Sequence, residues 1–324
     1  MTNALSIGSR GGKHRTAATA ARRRTHSARP SWDEPPTTVG QAAKGLTLGG
    51  TLAVILVPLW IIVLTSFSTP GAINRAGGLV IWPDGLSTET YRQMLGDPTI
   101  ITALGVSLGI TLVGTALSMV VSILCAYGLS RPRSFGHRFL LMLLIVTMFV
   151  SGGLIPGFLV VTGLGGYGQW WALILPSAVS VFNILVLRAF YQETSSELID
   201  AARMDGAGEW RILWSVVLPT SRAVTAVTAL FYAVGYWNSF FNVMLYMPTD
   251  SQKWPLQYVL LTYVNRANGL PGSVNSGFGE THAQTAPLSL QMAVVVLTLV
   301  PLVIVYPFVQ KHLRTGVLTG AIKG

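Results

Sequence analysis

Charged side chains are scarce in this sequence of 324 residues. Asp, Glu, Lys and Arg together make up 10% of the chain, whereas 51% of the residues are hydrophobic and the mean hydropathy is +0.54. Because soluble domains carry roughly 25% charged residues, this composition excludes an ordinary water-soluble protein. The sequence predicts an all-α integral membrane protein, in which the length of the chain sets the number of membrane spans.

Cysteines and clustered metal ligands are also lacking. Cys125 stands alone within an apolar run, which excludes an intrachain disulfide and a cysteine metal site, and the five histidines are scattered without ligand spacing. A phosphate-binding loop is missing too, because the Gly12-Lys13 pair has Ile7 and His14 where that motif requires Gly and Ser or Thr. We therefore expect neither a metal centre nor an enzyme that hydrolyses ATP by itself.

Six apolar runs are long enough to cross the hydrocarbon core of a bilayer, which takes about 20 residues. They predict transmembrane helices at about residues 46–67, 101–129, 139–161, 170–190, 224–246 and 287–309. In the second, Ser118, Ser122 and Ala126 follow one another at four-residue steps, a spacing of small residues that indicates close helix contact. The third is expected to kink at Gly152 and Gly153.

Basic residues distinguish the two sides of the membrane. Segments 1–45, 128–138, 188–222 and 310–324 carry 18 of the 22 Lys and Arg, and they alternate with segments that carry few. Because Lys and Arg accumulate in cytoplasmic loops, both termini are predicted to be cytoplasmic. The net charge of +10 then reflects topology, and no nucleic-acid partner is expected. Residues 1–45 read as a disordered tail, 46–324 as the transmembrane domain and 310–324 as a second tail.

The loop at residues 191–222, between the fourth and fifth predicted spans, has the pattern of a cytoplasmic helix-turn-helix. Glu197 and Asp200 place negative charge where the dipole of a first helix favours it, and Asp205-Gly206 is suited to ending that helix. Pro219 is expected to end the second helix. The predicted apolar sides are Leu198, Ala201, Ala202 and Met204 on the first helix and Trp210, Leu213, Trp214 and Val217 on the second.

The same loop resembles a known motif. Asp200-Ala201-Ala202, Asp205-Gly206-Ala207 and Leu218-Pro219 resemble the "EAA loop" of bacterial ABC-importer permeases, with Asp200 where those permeases carry Glu. In that family the loop sits in a cleft of a separate ATPase. The resemblance implies that the coupling element here consists of Glu197, Asp200, Ala201, Ala202, Gly206 and Pro219.

The resemblance extends over roughly residues 100–324 and favours the oligosaccharide-permease branch with its MetI-like fold. It is carried by the ALILP run at 172–176, the YWN run at 236–238 and the ending at 306–311. It implies a carbohydrate substrate taken up by alternating access in the bacterial inner or plasma membrane, surrounded by lipid. The implied partners are an ABC ATPase dimer that holds ATP and Mg, a second homologous permease and an extracellular solute-binding protein. No cofactor is expected in this chain.

Polar side chains within the fifth predicted span allow two interpretations. Tyr236, Trp237, Asn238 and Asn242 could line a carbohydrate path, with amides for hydroxyls and rings for sugar faces, or they could hydrogen-bond between helices. Two alternatives to a sugar importer also stay open. One is the same architecture importing a non-sugar solute. The other is a stand-alone secondary carrier, whose sequence would be expected to contain intramembrane charges or an inverted repeat.

Overall fold

The computed structural model describes residues 37–131, 136–150, 152–193, 196–267 and 287–320, and within these ranges the chain is built from helices joined by short connections. The helices are α1 (Thr38–Ser66), α2 (Pro70–Arg75), α3 (Glu89–Gly96), α4 (Pro98–Ser130), α5 (His137–Phe149), α6 (Leu154–Gly163), α7 (Trp171–Ile174), α8 (Val181–Gln192), α9 (Ser196–Met204), α10 (Glu209–Ile212), α11 (Leu218–Thr220), α12 (Arg222–Trp237), α13 (Phe241–Tyr246), α14 (Leu256–Ala267) and α15 (Pro287–Gly320). Short 3₁₀ turns cover Leu175–Ser177 and Ser251–Lys253, and a π-helical segment covers Leu213–Val217.

Three helical segments are long and apolar enough to cross a membrane. These are Thr38–Ser66, Pro98–Ser130 and Leu288–Pro307, and three further pairs of helices meet the same test only when each bent pair is taken together. By length and composition alone, the described residues therefore hold between three and six candidate spans. One bent pair falls at the predicted glycine kink, where α5 ends at Phe149 and α6 begins at Leu154.

Several helix bounds differ from those predicted. Helix α1 begins at Thr38, within the predicted tail, because Gln41, Ala42 and Ala43 are good helix formers that extend the apolar helix backwards. Residues 1–36 of that predicted tail lie outside the described residues. Helix α15 runs on to Gly320 instead of ending near 309.

The polar connections between the first and second and between the fifth and sixth predicted spans also contain helices. Residues 68–100 hold α2 and α3, and the segment after 246 holds α14. Leu256 and Val259 of α14 are fully buried, because this helix packs against α4 and α15. Their burial explains why a segment of mixed polarity folds as a helix here. The rest of that loop, residues 268–286, lies outside the described residues.

The chain divides into two compact units, residues 1–56 and 57–324. Of the first unit, residues 37–56 are described, and they form the exposed beginning of α1. The second unit holds two clusters of buried apolar residues. One combines the first half of α4 with α7, α14, α15 and the end of α12, and the other combines the second half of α4 with α8, α9 and the residues from 212 to 224.

Helices α4 and α12 approach each other closely, as the small-residue spacing predicted. Ser118, Ser122 and Ala126 are completely buried in the middle of α4. The Ser118 and Ser122 hydroxyls lie 2.8 and 2.6 Å from the hydroxyls of Tyr236 and Tyr232, which stand four residues apart on α12. Small residues on one helix thus accommodate large, hydrogen-bonded residues on the other.

Candidate functional site

Residues 196–220 form a helix pair whose turn is closed by main-chain hydrogen bonds. After α9 ends at Met204, Gly206 adopts a φ of +79°, and its N–H donates to the Arg203 carbonyl at 2.9 Å. The Ala207 N–H donates to the Ala202 carbonyl, also at 2.9 Å. These two bonds and the left-handed residue make up the Schellman ending of a helix, which glycine adopts most easily. The turn thus lies where Asp205-Gly206 predicted it.

The face of α9 that packs against the bundle differs from the predicted one. Ile199 is buried and Ala202 half-buried, whereas Leu198 and Ala201 are exposed and Met204 is 88% exposed. Ile199 and Ala202 are three residues apart and therefore share one side of the helix. The sequence pattern mixed residues from the packed side and from the outward side.

The second helix of the pair shows the same division. Leu213 and Val217 are buried, together with Ile212, but Trp210 and Trp214 are each 66% exposed. The helix runs without interruption from Glu209 to Thr220 through its π-helical turn and therefore ends one residue after Pro219. In the π segment the Leu218 N–H donates to the Leu213 carbonyl, five residues back.

The predicted coupling residues lie mainly on the outward side of the helix pair. Glu197, Asp200, Ala201 and Gly206 are exposed. Ala202 and Pro219 are half-buried, and Ala202 packs against the buried cluster that includes the second half of α4. Leu198 and Met204 of the same helix are exposed as well, and so are Trp210 and Trp214 of the second helix, so the exposed part of the helix pair combines negative charge with large apolar groups.

A cluster of four polar side chains joins this helix pair to the end of α4, and sequence reasoning missed it. Glu209 Oε1 accepts a hydrogen bond from Arg203 Nη2 at 2.9 Å, and Glu209 Oε2 accepts one from the Tyr127 hydroxyl. Arg131 Nη2 donates to the Tyr127 oxygen at 3.0 Å and lies 3.9 Å from Glu209 Oε2. We call these four residues the carboxylate joint.

The charge state of the joint is set by its hydrogen bonds. The hydrogen bond from Tyr127, and after it the Arg203 guanidinium, hold the pKa of the Glu209 carboxyl below its ordinary value of 4.5. Glu209 is therefore ionised at neutral pH. Tyr127 and Glu209 are 82 residues apart in the chain, so no local sequence pattern predicts their contact.

A cavity of about 330 Å³ lies where two of the predicted spans are interrupted. The fourth bends by 49° between Ser177 and Val181, and the fifth breaks between α12 and α13, at residues 238–240. The cavity is lined by Ser177, Ser180, Asn183, Phe231, Tyr232, Gly235, Tyr236, Asn238, Ser239, Phe240, Phe241 and Asn242. None of these side chains is charged, and they combine hydroxyls and amides with aromatic rings.

Three of the four predicted path residues line the cavity. The Tyr236 hydroxyl donates to the Ile174 carbonyl at 3.0 Å, and Asn242 Nδ2 donates to Ser177 Oγ at 3.4 Å. Trp237 lies elsewhere. Its indole is buried, and Nε1 donates to the Thr298 carbonyl at 3.0 Å, which ties α12 to α15. Trp237 therefore acts in helix packing, which corrects its place in the predicted path.

Asn238 shows features of both predicted roles, because it lines the cavity and also hydrogen-bonds to another helix. Its Nδ2 donates to the Val234 carbonyl at 2.9 Å, and its Oδ1 accepts a hydrogen bond from Gln257 Nε2 at 3.2 Å. The side chain is exposed to the cavity but already has a protein partner at each end of its amide. Gln257, on α14, was missed from the sequence because α14 falls in a segment that reads as a polar loop.

Among the described residues, no three His, Cys, Asp or Glu side chains come together as metal ligands do. What the site offers is an uncharged cavity at two helix breaks and an outward-facing helix pair joined to the same bundle. Discontinuous helices that meet at a polar cavity are typical of membrane transporters. The fold and the site thus define a transport protein of the membrane.

Comparison with known proteins gives the family. Residues 105–319 match the family model described as "Binding-protein-dependent transport system inner membrane component". Protein LplC of Bacillus subtilis is 38% identical over 281 residues, which cover 86% of this chain and 93% of that protein. The polygalacturonan/rhamnogalacturonan transport system permease protein YtcP, also of Bacillus subtilis, is 39% identical over 272 residues, or 84% of this chain and 93% of YtcP. The chain belongs to this family of multi-pass membrane permeases and is a subunit of an ABC importer.

A solved structure has the same fold. A bacterial ABC transporter involved in the import of the acidic polysaccharide alginate contains a chain that superposes with a TM-score of 0.78 and 28% sequence identity. The match covers 87% of this chain and 99% of the alginate transporter's chain. Family membership thus confirms that the chain is a transport subunit and that the ATPase is a separate partner.

Proposed function

We propose that this chain is the transmembrane permease subunit of an importer that brings a carbohydrate, in particular an oligosaccharide, into the cytoplasm by alternating access. The observation that carries the substrate class is the uncharged cavity at the two helix breaks. Amides and hydroxyls can both donate to and accept from sugar hydroxyls, and apolar rings provide a surface for the sugar faces. The polygalacturonan/rhamnogalacturonan transport of YtcP and the alginate import of the structural relative support the same class.

The proposed topology has six spans with both termini in the cytoplasm. The spans are those predicted at 46–67, 101–129, 139–161, 170–190, 224–246 and 287–309, of which the third, fourth and fifth are bent or broken. The asymmetry of Lys and Arg between the two sides supports it. In this topology the helix pair lies on the cytoplasmic side and the cavity lies within the membrane.

The helix pair is proposed to couple the permease to a separate ABC ATPase dimer that holds ATP and Mg. Its outward face presents Glu197, Asp200 and Ala201 beside the exposed Met204. Ala202 and Pro219 fix the opposite face to the bundle, and Gly206 sets the angle between the helices. A second homologous permease completes the membrane domain, and an extracellular solute-binding protein delivers the substrate.

The proposal is tested by co-purification followed by uptake. Extraction from native membranes in mild detergent should recover an ABC ATPase and a second permease, and the co-purified binding protein should bind an oligosaccharide in a ligand screen. Recovery of this chain alone, even after crosslinking, would contradict the subunit assignment. Recovery with a binding protein that takes only amino acids, peptides or metal ions would contradict the carbohydrate substrate.

A pair of glycine variants tests the coupling element. Gly206→Val should abolish uptake while membrane insertion persists, because its φ of +79° costs a non-glycine residue about 1–2 kcal/mol and more when it is β-branched. The matched control is Gly208→Ser, two residues away, where φ is −72° and no atom lies within 4 Å of an added Cβ. Normal uptake by Gly206→Val would contradict the assignment of the turn to coupling.

A further inference from the structure

Glu209 occupies an unusual position among the charged residues of the helix pair. It is the first residue of α10, directly after the turn, and each of its two carboxylate oxygens has a different partner. Oε1 binds Arg203 near the end of α9, and Oε2 binds Tyr127 in the last turn of α4. One side chain therefore fixes both the closure of the turn and the attachment of the turn to the bundle.

The α4 side of this contact is itself held in place. The Arg131 guanidinium lies 4.8 Å from the centroid of the Tyr127 ring and donates to the Tyr127 hydroxyl at 3.0 Å. The same hydroxyl also lies 3.3 Å from the Glu209 main-chain oxygen. The Arg131 guanidinium over its ring and the two Glu209 oxygens near its hydroxyl thus fix the orientation of Tyr127 toward the beginning of α10.

Apolar packing, and not the joint, keeps the helix pair on the bundle. Ala126 and Leu129 of α4 belong to one buried cluster with Ile199 and Ile212 of the helix pair. The Glu209 side chain is 54% exposed, and exposed ion pairs contribute about 0–1 kcal/mol to stability. Loss of the joint should therefore leave a folded protein whose helix pair is less tightly fixed in direction.

From the joint, contacts along α4 lead to the cavity. Tyr127 stands on the same helix as Ser118 and Ser122, whose hydroxyls bind Tyr236 and Tyr232 of the cavity lining. This route is independent of the covalent route, in which α11 passes through an 87° bend into α12. A displacement of the helix pair can reach the cavity along both.

We propose that Glu209 is a positioning residue that transmits movement of the helix pair to α4 through Tyr127, so that ATP hydrolysis and opening of the cavity stay coupled. The inference rests on the proposed function, because it needs an ATPase on the helix pair. Removing the joint should uncouple the two processes. The ATPase then turns over while fewer solute molecules are imported per ATP hydrolysed.

The test uses the complete complex, with its solute-binding protein, in liposomes. Glu209→Gln and Tyr127→Phe keep the shape of each side chain but remove the ion pair or the hydroxyl. Each should lower the number of solute molecules imported per ATP by at least about fivefold, the lower end of typical coupling between sites. Because both changes weaken the hydrogen bond between Tyr127 and Glu209, the effects of the two single variants should not simply add in the double variant.

The matched control is an exposed ion pair elsewhere in the chain. Arg75 and Asp84 pair at 2.8 Å with side chains 65% and 60% exposed, so Asp84→Asn removes a similar interaction away from the helix pair. It should leave the import-to-ATP ratio unchanged.

The outcomes separate the inference from the function on which it rests. Variants with the wild-type ratio overturn the role of Glu209, and so do variants that lose the ATPase from the complex, because that result would make the joint a purely structural contact. A wild-type complex without ATP-driven uptake overturns the proposed function, and this inference falls with it. A lowered ratio in an intact complex, with Asp84→Asn unaffected, supports the role.

Discussion

The two halves of α4 hold their neighbours by opposite means. At Ser118 and Ser122 the contacts are neutral hydrogen bonds from fully buried hydroxyls to the tyrosines of α12. At Tyr127 and Arg131 the contacts lead to the half-exposed carboxylate of Glu209. One helix thus combines a buried, neutral attachment to the cavity with an exposed, charged attachment to the helix pair.

The difference suits the two proposed tasks. Within a membrane an unpaired polar group finds no water, so the hydrogen bonds to Tyr232 and Tyr236 favour one fixed arrangement. At the surface water can replace a broken ion pair at little cost, so the joint can direct movement without locking it.

The close approach at the buried half is most sensitive to added volume. An added Cβ at Gly114 would lie 2.8 Å from ring carbons of Tyr236, so Gly114→Ala must displace that ring. We expect a loss of about 1–3 kcal/mol, as for overpacked cores, measured by thermal unfolding of the purified complex in detergent.

The control is the same change at Gly109, nearer the beginning of α4. No atom lies within 4 Å of an added Cβ at Gly109, and alanine is the better helix former, so Gly109→Ala should be neutral or slightly stabilising. Equal melting temperatures for the two variants would contradict the tight contact between α4 and α12.

The second prediction compares the loss of a tyrosine hydroxyl at the buried half of α4 with the loss of one at its exposed half. Tyr232→Phe deprives both Ser122 and the Ser180 N–H, 3.1 Å away, of their partner. We expect a loss of about 0.6–1.7 kcal/mol, the range for hydrogen bonds between helices in membranes. Tyr127→Phe should cost less stability, because its partner Glu209 stays accessible to water. Thermal unfolding of the two variants checks the order, and a larger loss at Tyr127 would reverse the contrast.

Local features of the helix pair were predictable from sequence, but its orientation was not. The turn depends on the local backbone conformation that Asp205 and Gly206 favour, so it could be located without knowledge of the tertiary structure. Which face packs depends on the bundle beneath, and the helix carries apolar groups on both faces. Trp210 and Trp214 were therefore grouped with the buried Leu213 although they point outward.

The cavity and the joint illustrate what sequence could not provide. The break in the fourth predicted span follows Pro176, which is a recognisable signal. The break at Asn238 and Ser239 has no proline or glycine, so the fifth span read as one continuous helix. The contact of Tyr127 with Glu209 depends on how the chain folds back over 82 residues.

The smallest expected effect is that of pH on the joint. Since hydrogen bonding lowers the pKa of Glu209 in the folded protein below 4.5, ionised Glu209 contributes fully above its unfolded value. That contribution is lost only as the pH falls through the lower folded value. Between about pH 5.5 and 8, well above the ordinary range of a carboxyl, we expect no change in the import-to-ATP ratio that depends on Glu209. The measurement is the difference between wild-type protein and Glu209→Gln across this range. A difference that vanishes with a midpoint near neutral pH would mean that Glu209 is protonated there, and it would contradict the ion-paired attachment that distinguishes the joint from the neutral contacts at Ser118 and Ser122.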